Sequence, residues 1–181
     1  QYTINTKTQF STVENAKQAL MGSYGYMSAD NAYGQAWQEV TFGYCGFGWS
    51  QTNGSSTDLL VSMDGGIDET INTMAWRGMY KVIGETNAFI ANIADSPLES
   101  ADKLPMEAAA RFLRALAYYN LAVTYGDVPL KTTPSAHDGV ADPSSPKNEV
   151  FELVRTDWEF AYENLPEKDD DGFATKWAAK A

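Results

Sequence analysis

Apolar residues recur at three- and four-residue intervals along most of this chain, which predicts four long amphipathic helices and the start of a fifth. In the first, Val13, Ala16, Leu20, Tyr24 and Met27 share one face, behind a Ser11 to Glu14 spacing that suits a capping box. Gly22 and Gly25 weaken that helix intrinsically, unless a neighbouring helix uses them to approach closely. Residues 71–94 form a second amphipathic pattern through Ala75, Met79, Val82, Thr86, Ile90 and Ile93, ended by Asp95-Ser96-Pro97. The third is the most densely apolar. Pro105 suits a first helical turn, Glu107 favours the positive end of the helix dipole, and two stripes follow. Ala108, Phe112, Leu116, Tyr119 and Val123 make one, and Leu113, Ala117 and Leu121 the other. Gly126 supplies a left-handed ending, and Pro129 forces the chain into a turn. In the fourth helix Val150, Phe151, Val154, Trp158, Ala161, Tyr162 and Leu165 are aligned, with Pro146 opening it, Ser145 as cap and Pro166 as stop. Residues 173–181 begin a last helix with Trp177 turned inward.

Between these elements the periodicity fails in three places. Residues 31–70 mix glycine, serine and asparagine with Tyr33, Trp37, Phe42, Tyr44, Phe47 and Trp49, and read as a long irregular, aromatic-rich insertion. Residues 131–145 read as a surface loop with a short extended pair near Val128, and Glu167 to Gly172 as a solvated turn. The expected architecture is therefore all-α, with antiparallel helix pairs and long irregular loops in a single domain over residues 1–181. No regular repeat period is visible in the spacing.

With 181 residues, 44% hydrophobic and 13% aromatic, the chain can bury a core of its own. A formal net charge of -11 and a pI near 4.4 oppose binding to nucleic acid or anionic lipid, which need a basic face. Nowhere do apolar residues run for the roughly 20 positions that cross a bilayer. Cys45 is the only cysteine, which excludes an intrachain disulfide and a thiolate zinc cluster.

The residues capable of chemistry argue against catalysis. His137, the single histidine, lies in a proline-rich loop and reads as surface, and Cys45 among glycines and aromatics reads as a small, buried or half-buried residue. Asp58, Asp64, Asp68 and Glu69 are close in sequence, but glycoside hydrolysis needs two carboxyl groups at a set separation in space. The Asp169-Asp170-Asp171 run lacks the alternating ligands and terminal glutamate of a calcium loop. No catalytic group, metal or cofactor is assigned.

Arg111 and Arg114 sit on an otherwise apolar helix, where an unpaired buried charge would be prohibitive. A tethering role fits them, with Arg114 bonding helix-end carbonyls or an acid such as Asp127; ligand binding is the alternative. Sugars offer apolar C–H faces edged by hydroxyls, so a glycan site wants aromatic platforms beside amides. The insertion holds that combination in Trp37, Tyr44, Phe47, Trp49, Gln51 and Asn53, unless these aromatics serve only to pin the loop.

The stretch RFLRALAYYNLAVTYGDVPL resembles the signature segment of the SusD/RagB family of nutrient-binding outer-membrane lipoproteins of Bacteroidetes. FSTVENAKQALMGSY, Thr57-Asp58, WRGMYKVIGETN and ATKWAAKA are similar to other stretches of that family, so the resemblance extends over nearly the whole chain. It implies tetratricopeptide-like helix pairs, in the N-terminal part of a longer protein truncated inside its last helix. A signal peptide and a lipid-bearing cysteine would then precede Gln1. It also implies a non-enzymatic, surface-exposed glycan or oligosaccharide binder, lipid-anchored to the outer membrane and working with a SusC-type TonB-dependent transporter.

In the family's starch-binding prototype, sugar-stacking aromatics follow a Thr-Asp pair. The corresponding LLVSMDGG here has none, so starch specificity does not carry over. A helical array cut within a pair exposes a face, which leads to the expectation of self-association. The second reading of the chain is a peptide- or protein-interaction scaffold of tetratricopeptide type, with its apolar patch in a groove between helices.

Overall fold

The computed structural model describes residues 9–45, 58, 61–63, 70–134, 142–169 and 171–181, and Phe47, Trp49, Gln51, Asn53, Asp64, Asp68, Glu69 and His137 lie outside them. The elements in order are α1 (Val13–Ser28), a π-helical turn (Asp30–Gly34), α2 (Ala36–Tyr44), α3 (Thr70–Ala94) and α4 (Ser100–Tyr125). After these come β1 (Val128–Pro129), β2 (Ser144–Ser145), α5 (Lys147–Asn164) and α6 (Lys176–Lys180). They belong to two compact units, one of Gln1–Tyr24 with Val82–Ala181 and one of Gly25–Lys81.

In the first unit α4 and α5 run antiparallel. Arg111 stacks on Phe160, Arg114 meets Asp157, and Tyr119 lies against Phe151, so one sequence rises as the other falls. The core gathers Phe10, Ala16, Leu20, Phe89, Ile93, Met106, Ala110, Ala161 and Leu165, with the Phe10 and Phe89 rings edge to face at 5.4 Å. Each large aliphatic or aromatic side chain withdrawn from water contributes roughly 1.5–3 kcal/mol. Alanines at 108, 109, 110, 115, 117 and 122 let α4 lie close to its neighbours.

Several helix boundaries differ from those the pattern suggested. α1 is capped one residue later than expected, with Thr12 Oγ1 accepting from the Asn15 N–H at 3.2 Å. α4 begins a turn and a half early, so Pro105 lies inside it and forgoes only a bond to the carbonyl of exposed Ala101. Gly126 ends α4 with φ 80°, its N–H bonded to the Ala122 carbonyl. Ser145 pairs with Val128 in the β1–β2 ladder instead of capping α5. Asp127 takes over that task from across the loop, its Oδ1 accepting from the Lys147 N–H at 2.9 Å.

The apolar stripes also sort differently. Leu113, Ala117 and Leu121 are buried, whereas Tyr119 and Val123 are exposed, because two stripes this far apart cannot both face the same neighbours. Trp177 is 51% exposed, its face occupied by the Lys176 ammonium at 4.8 Å rather than by a core. Cys45 is exposed, contrary to the expected burial, and donates through Sγ to the Phe42 carbonyl.

The second unit corrects the picture of an irregular insertion, because residues 30–44 are helical. Ala36, Trp37, Val40 and Gly43 follow helical spacing and form the buried stripe of α2. The backbone of the π turn crosses α3 at Gly78, where a Cβ would fall within the Asn31 carbonyl group and 3.0 Å from the Ala32 nitrogen. Only glycine permits that approach. Gly22 and Gly25, by contrast, face open space, so close helix packing is not their role.

Two buried phenols give the first unit an alkaline limit. Burial pushes the Tyr118 and Tyr24 hydroxyls up from 10.0 to about 12, against the opposing pull of their backbone hydrogen bonds with Lys131 and Ala174. A raised pKa means the folded state prefers the neutral phenol, so this stabilisation is complete below pH 10 and is lost as pH climbs towards 12. Melting temperatures should therefore fall over that window, and fall less in Tyr118→Phe; a parallel fall in the variant would contradict the assignment.

Candidate functional site

Three features of the described residues bear on function: an exposed aromatic pair in the second unit, a buried charge cluster in the first, and an apolar groove beside that cluster.

The aromatic pair stands on the last turn of α2. Phe42 is 59% exposed and Tyr44 43% exposed, while the Tyr44 Oη accepts from Asn72 Nδ2 at 3.1 Å. That bond holds the ring and leaves its face open, the arrangement that stacking on a sugar requires. Amides lie along the same helix. Gln35 Nε2 donates to Glu39 Oε1 at 2.7 Å, and Gln38 Nε2 to the Tyr33 carbonyl at 2.6 Å. Trp37 is different from its expected role: it is 8% exposed and packs edge to face on Tyr33 at 6.4 Å, so its ring serves the core. Phe47, Trp49, Gln51 and Asn53 fall outside the described residues.

The charge cluster centres on Asp157, which is 0% exposed on the inner face of α5. Arg114 grips it in a bidentate pair, Nε to Oδ2 at 2.7 Å and Nη2 to Oδ1 at 2.8 Å. The third nitrogen, Nη1, donates to Asn87 Oδ1 at 2.8 Å on α3. Asn87 in turn donates to the Lys131 carbonyl at 3.0 Å, and Tyr118 Oη donates to the same carbonyl at 2.9 Å. Arg111 lies over the Phe160 ring, pairs with Glu107 at 2.6 Å and stands 3.6 Å from Asp157. The acid that Arg114 meets is thus Asp157 and not Asp127, which is occupied in capping α5. Saturated in this way, the two arginines tie α3, α4, α5 and the chain after β1 together.

The groove holds about 540 Å³ and is lined by Tyr119, Phe151, Trp158 and Tyr162, with Ala179 and Lys180 at one end. Tyr119 tilts against Trp158 at 5.6 Å and Phe151 at 6.2 Å. At its rim Arg155 is paired with Glu152 at 3.0 Å and Glu159 at 2.6 Å. Assigning these aromatics to the core concealed it. No group of His, Cys, Asp and Glu among the described residues is arranged to hold a metal, and no described helix is long and apolar enough to cross a membrane.

Comparison with known proteins places these features in a family. A SusD-like family model, described as starch-binding and associating with the outer membrane, matches residues 4–181. A SusD-like protein of Bacteroides ovatus is 32% identical over 118 residues, covering 63% of this chain and 21% of that protein. Among solved structures, a laminarin-binding SusD-like protein superposes with a TM-score of 0.79 at 23% identity, over 94% of this chain and 38% of its own. A structure with bound xylogluco-oligosaccharide does so at 0.72 and 26% identity, over 90% and 33%. The chain therefore spans between a fifth and two-fifths of the length of these relatives. Its helix pairs are of the tetratricopeptide-like type seen in SusD structures. Since the family model extends over almost its whole length, the chain belongs to the SusD-like family.

Proposed function

We propose that this chain is part of a non-enzymatic, surface-exposed protein that captures oligosaccharide and passes it to a SusC-type TonB-dependent transporter. The observation that carries the reading is the family match over residues 4–181, with relatives that bind laminarin or hold a xylogluco-oligosaccharide. In the full-length protein a lipid anchor holds the molecule at the outer membrane, and the helical scaffold keeps the ligand surface in register with the transporter. Capture proceeds by stacking and hydrogen bonding on a preformed surface, with Phe42 and Tyr44 as described platforms and Phe47, Trp49, Gln51 and Asn53 as further contacts. No bond is made or broken.

Isothermal calorimetry of the full-length protein against a polysaccharide panel tests this directly. At least one glycan should give saturable heat, and Tyr44→Ala should weaken it about tenfold, as expected for an aromatic contact near 1.4 kcal/mol. Silence across the panel would remove glycan capture from consideration.

A second reading, a helical interaction scaffold, is favoured by one observation. The groove of Tyr119, Phe151, Trp158 and Tyr162 runs along α4 and α5, where a partner helix with an apolar stripe would lie.

A further inference from the structure

The charges around the aromatic surface point to the class of glycan it accepts. From Gln18 to Trp76 the chain contains no Lys, Arg or His, yet it holds six acids: Asp30, Glu39, Asp58, Asp64, Asp68 and Glu69. A uronate or sulfate group leaving water for a binding surface needs a cation or a cluster of N–H donors to replace its hydration. This stretch supplies no cationic side chain for that purpose.

The cations of the second unit, Arg77 and Lys81, follow on α3, and helical geometry turns both away from the ring of Tyr44. At about 100° per residue, Arg77 stands roughly 140° and Lys81 roughly 180° around α3 from Asn72, the residue bonded to Tyr44. Lys81 is directed instead to the Tyr26 ring, 4.8 Å from its centroid.

Backbone dipoles do not reverse this balance. Phe42 and Tyr44 belong to the last turn of α2, where unsatisfied carbonyls concentrate partial negative charge. The opposite end of α3, near Asn72, is positive, but Asp68 and Glu69 immediately precede it in sequence. Tyr44 is already engaged there through its hydroxyl.

We infer that the ligand surface carried by this segment selects neutral glycans and discriminates against uronate- and sulfate-bearing ones. The inference rests on the reading of that segment as the sugar-binding surface. Stacking and hydroxyl hydrogen bonds carry no net charge, so recognition of a neutral chain is insensitive to ionic strength, whereas an anionic chain meets an acidic surface it must approach against repulsion.

The test is calorimetry on the full-length protein with three probes of matched length: a neutral β-glucan, polygalacturonate and a sulfated galactan, each at low and high salt. The neutral glucan should bind with less than about a twofold change between the two salt conditions, and the anionic chains should bind at least roughly tenfold more weakly, worst at low salt. Thr41→Lys, which sets an ammonium one turn from Tyr44 on the exposed side of α2, should raise the affinity for polygalacturonate several-fold at low salt. Anionic chains bound as tightly as the neutral one, with affinity falling as salt rises, would overturn the inference and leave glycan capture standing. Binding of none of the three, with silence across the wider panel, would overturn both together.

Discussion

Arg114→Leu is expected to cost about 3–5 kcal/mol, because it leaves the Asp157 carboxylate buried without the guanidinium that neutralises it. Asp157 is fully enclosed and its two oxygens accept from Arg114 at 2.7 and 2.8 Å, so removing the guanidinium strips the nearest donors from both. Arg111, at 3.6 Å and already paired with Glu107, offers only partial compensation. The loss also releases Asn87 Oδ1, which accepts from Arg114. Chemical denaturation should show the full effect in Arg114→Leu and a smaller one in the double variant Arg114→Met with Asp157→Leu, where no charge remains to be buried. A cost below about 1 kcal/mol for the single variant would mean that water reaches the cluster and screens it.

A comparable loss is expected from Gly78→Val. Even the first carbon of a side chain there would occupy the Asn31 carbonyl, and the obstacle is backbone, which cannot rotate aside as a side chain can. Overpacking usually costs about 1–3 kcal/mol, and at such a backbone crossing the upper end or beyond is expected, since the π turn must lift from α3. The same change at Gly84, where an added Cβ meets nothing within 4 Å, serves as the control and should remain within about 1 kcal/mol of the parent protein. If thermal melts place the two variants together, the crossing at Gly78 is not the constraint described.

Helix positions were legible in the sequence wherever one apolar stripe met firm punctuation. α4 and its exit through Gly126 and Pro129 show this, and so does α3 with its Asp95-Ser96-Pro97 ending. α2 was not legible, because its glycine and aromatic content resembles loop composition, although Trp37, Val40 and Tyr44 already stand at helical intervals. The partner of Arg114 was missed for a different reason. Asp127 is near it in sequence, whereas Asp157 is brought there by the α4–α5 pairing. A signal was nevertheless present: Asp157 interrupts the buried series Val150, Val154 and Ala161, and an acid in such a stripe demands a cation opposite. The groove escaped notice because aromatic residues at helical spacing fit core and surface equally well, and only the direction of the neighbouring helix separates them. Of the proposed platform residues, burial removes Trp37 and leaves Tyr44, a distinction that composition alone could not supply.

The short β1–β2 pair and the Asp127 cap on α5 close the two ends of the chain between Pro129 and Ser144. What lies between is therefore decoupled from the helix pair that it joins. Doubling the length of a flexible connection adds only about 0.6 kcal/mol of closure entropy. Such a clasped connection is a place where relatives of this protein can exchange, lengthen or shorten sequence, and so diversify their outer surface while α4 and α5 keep the same register.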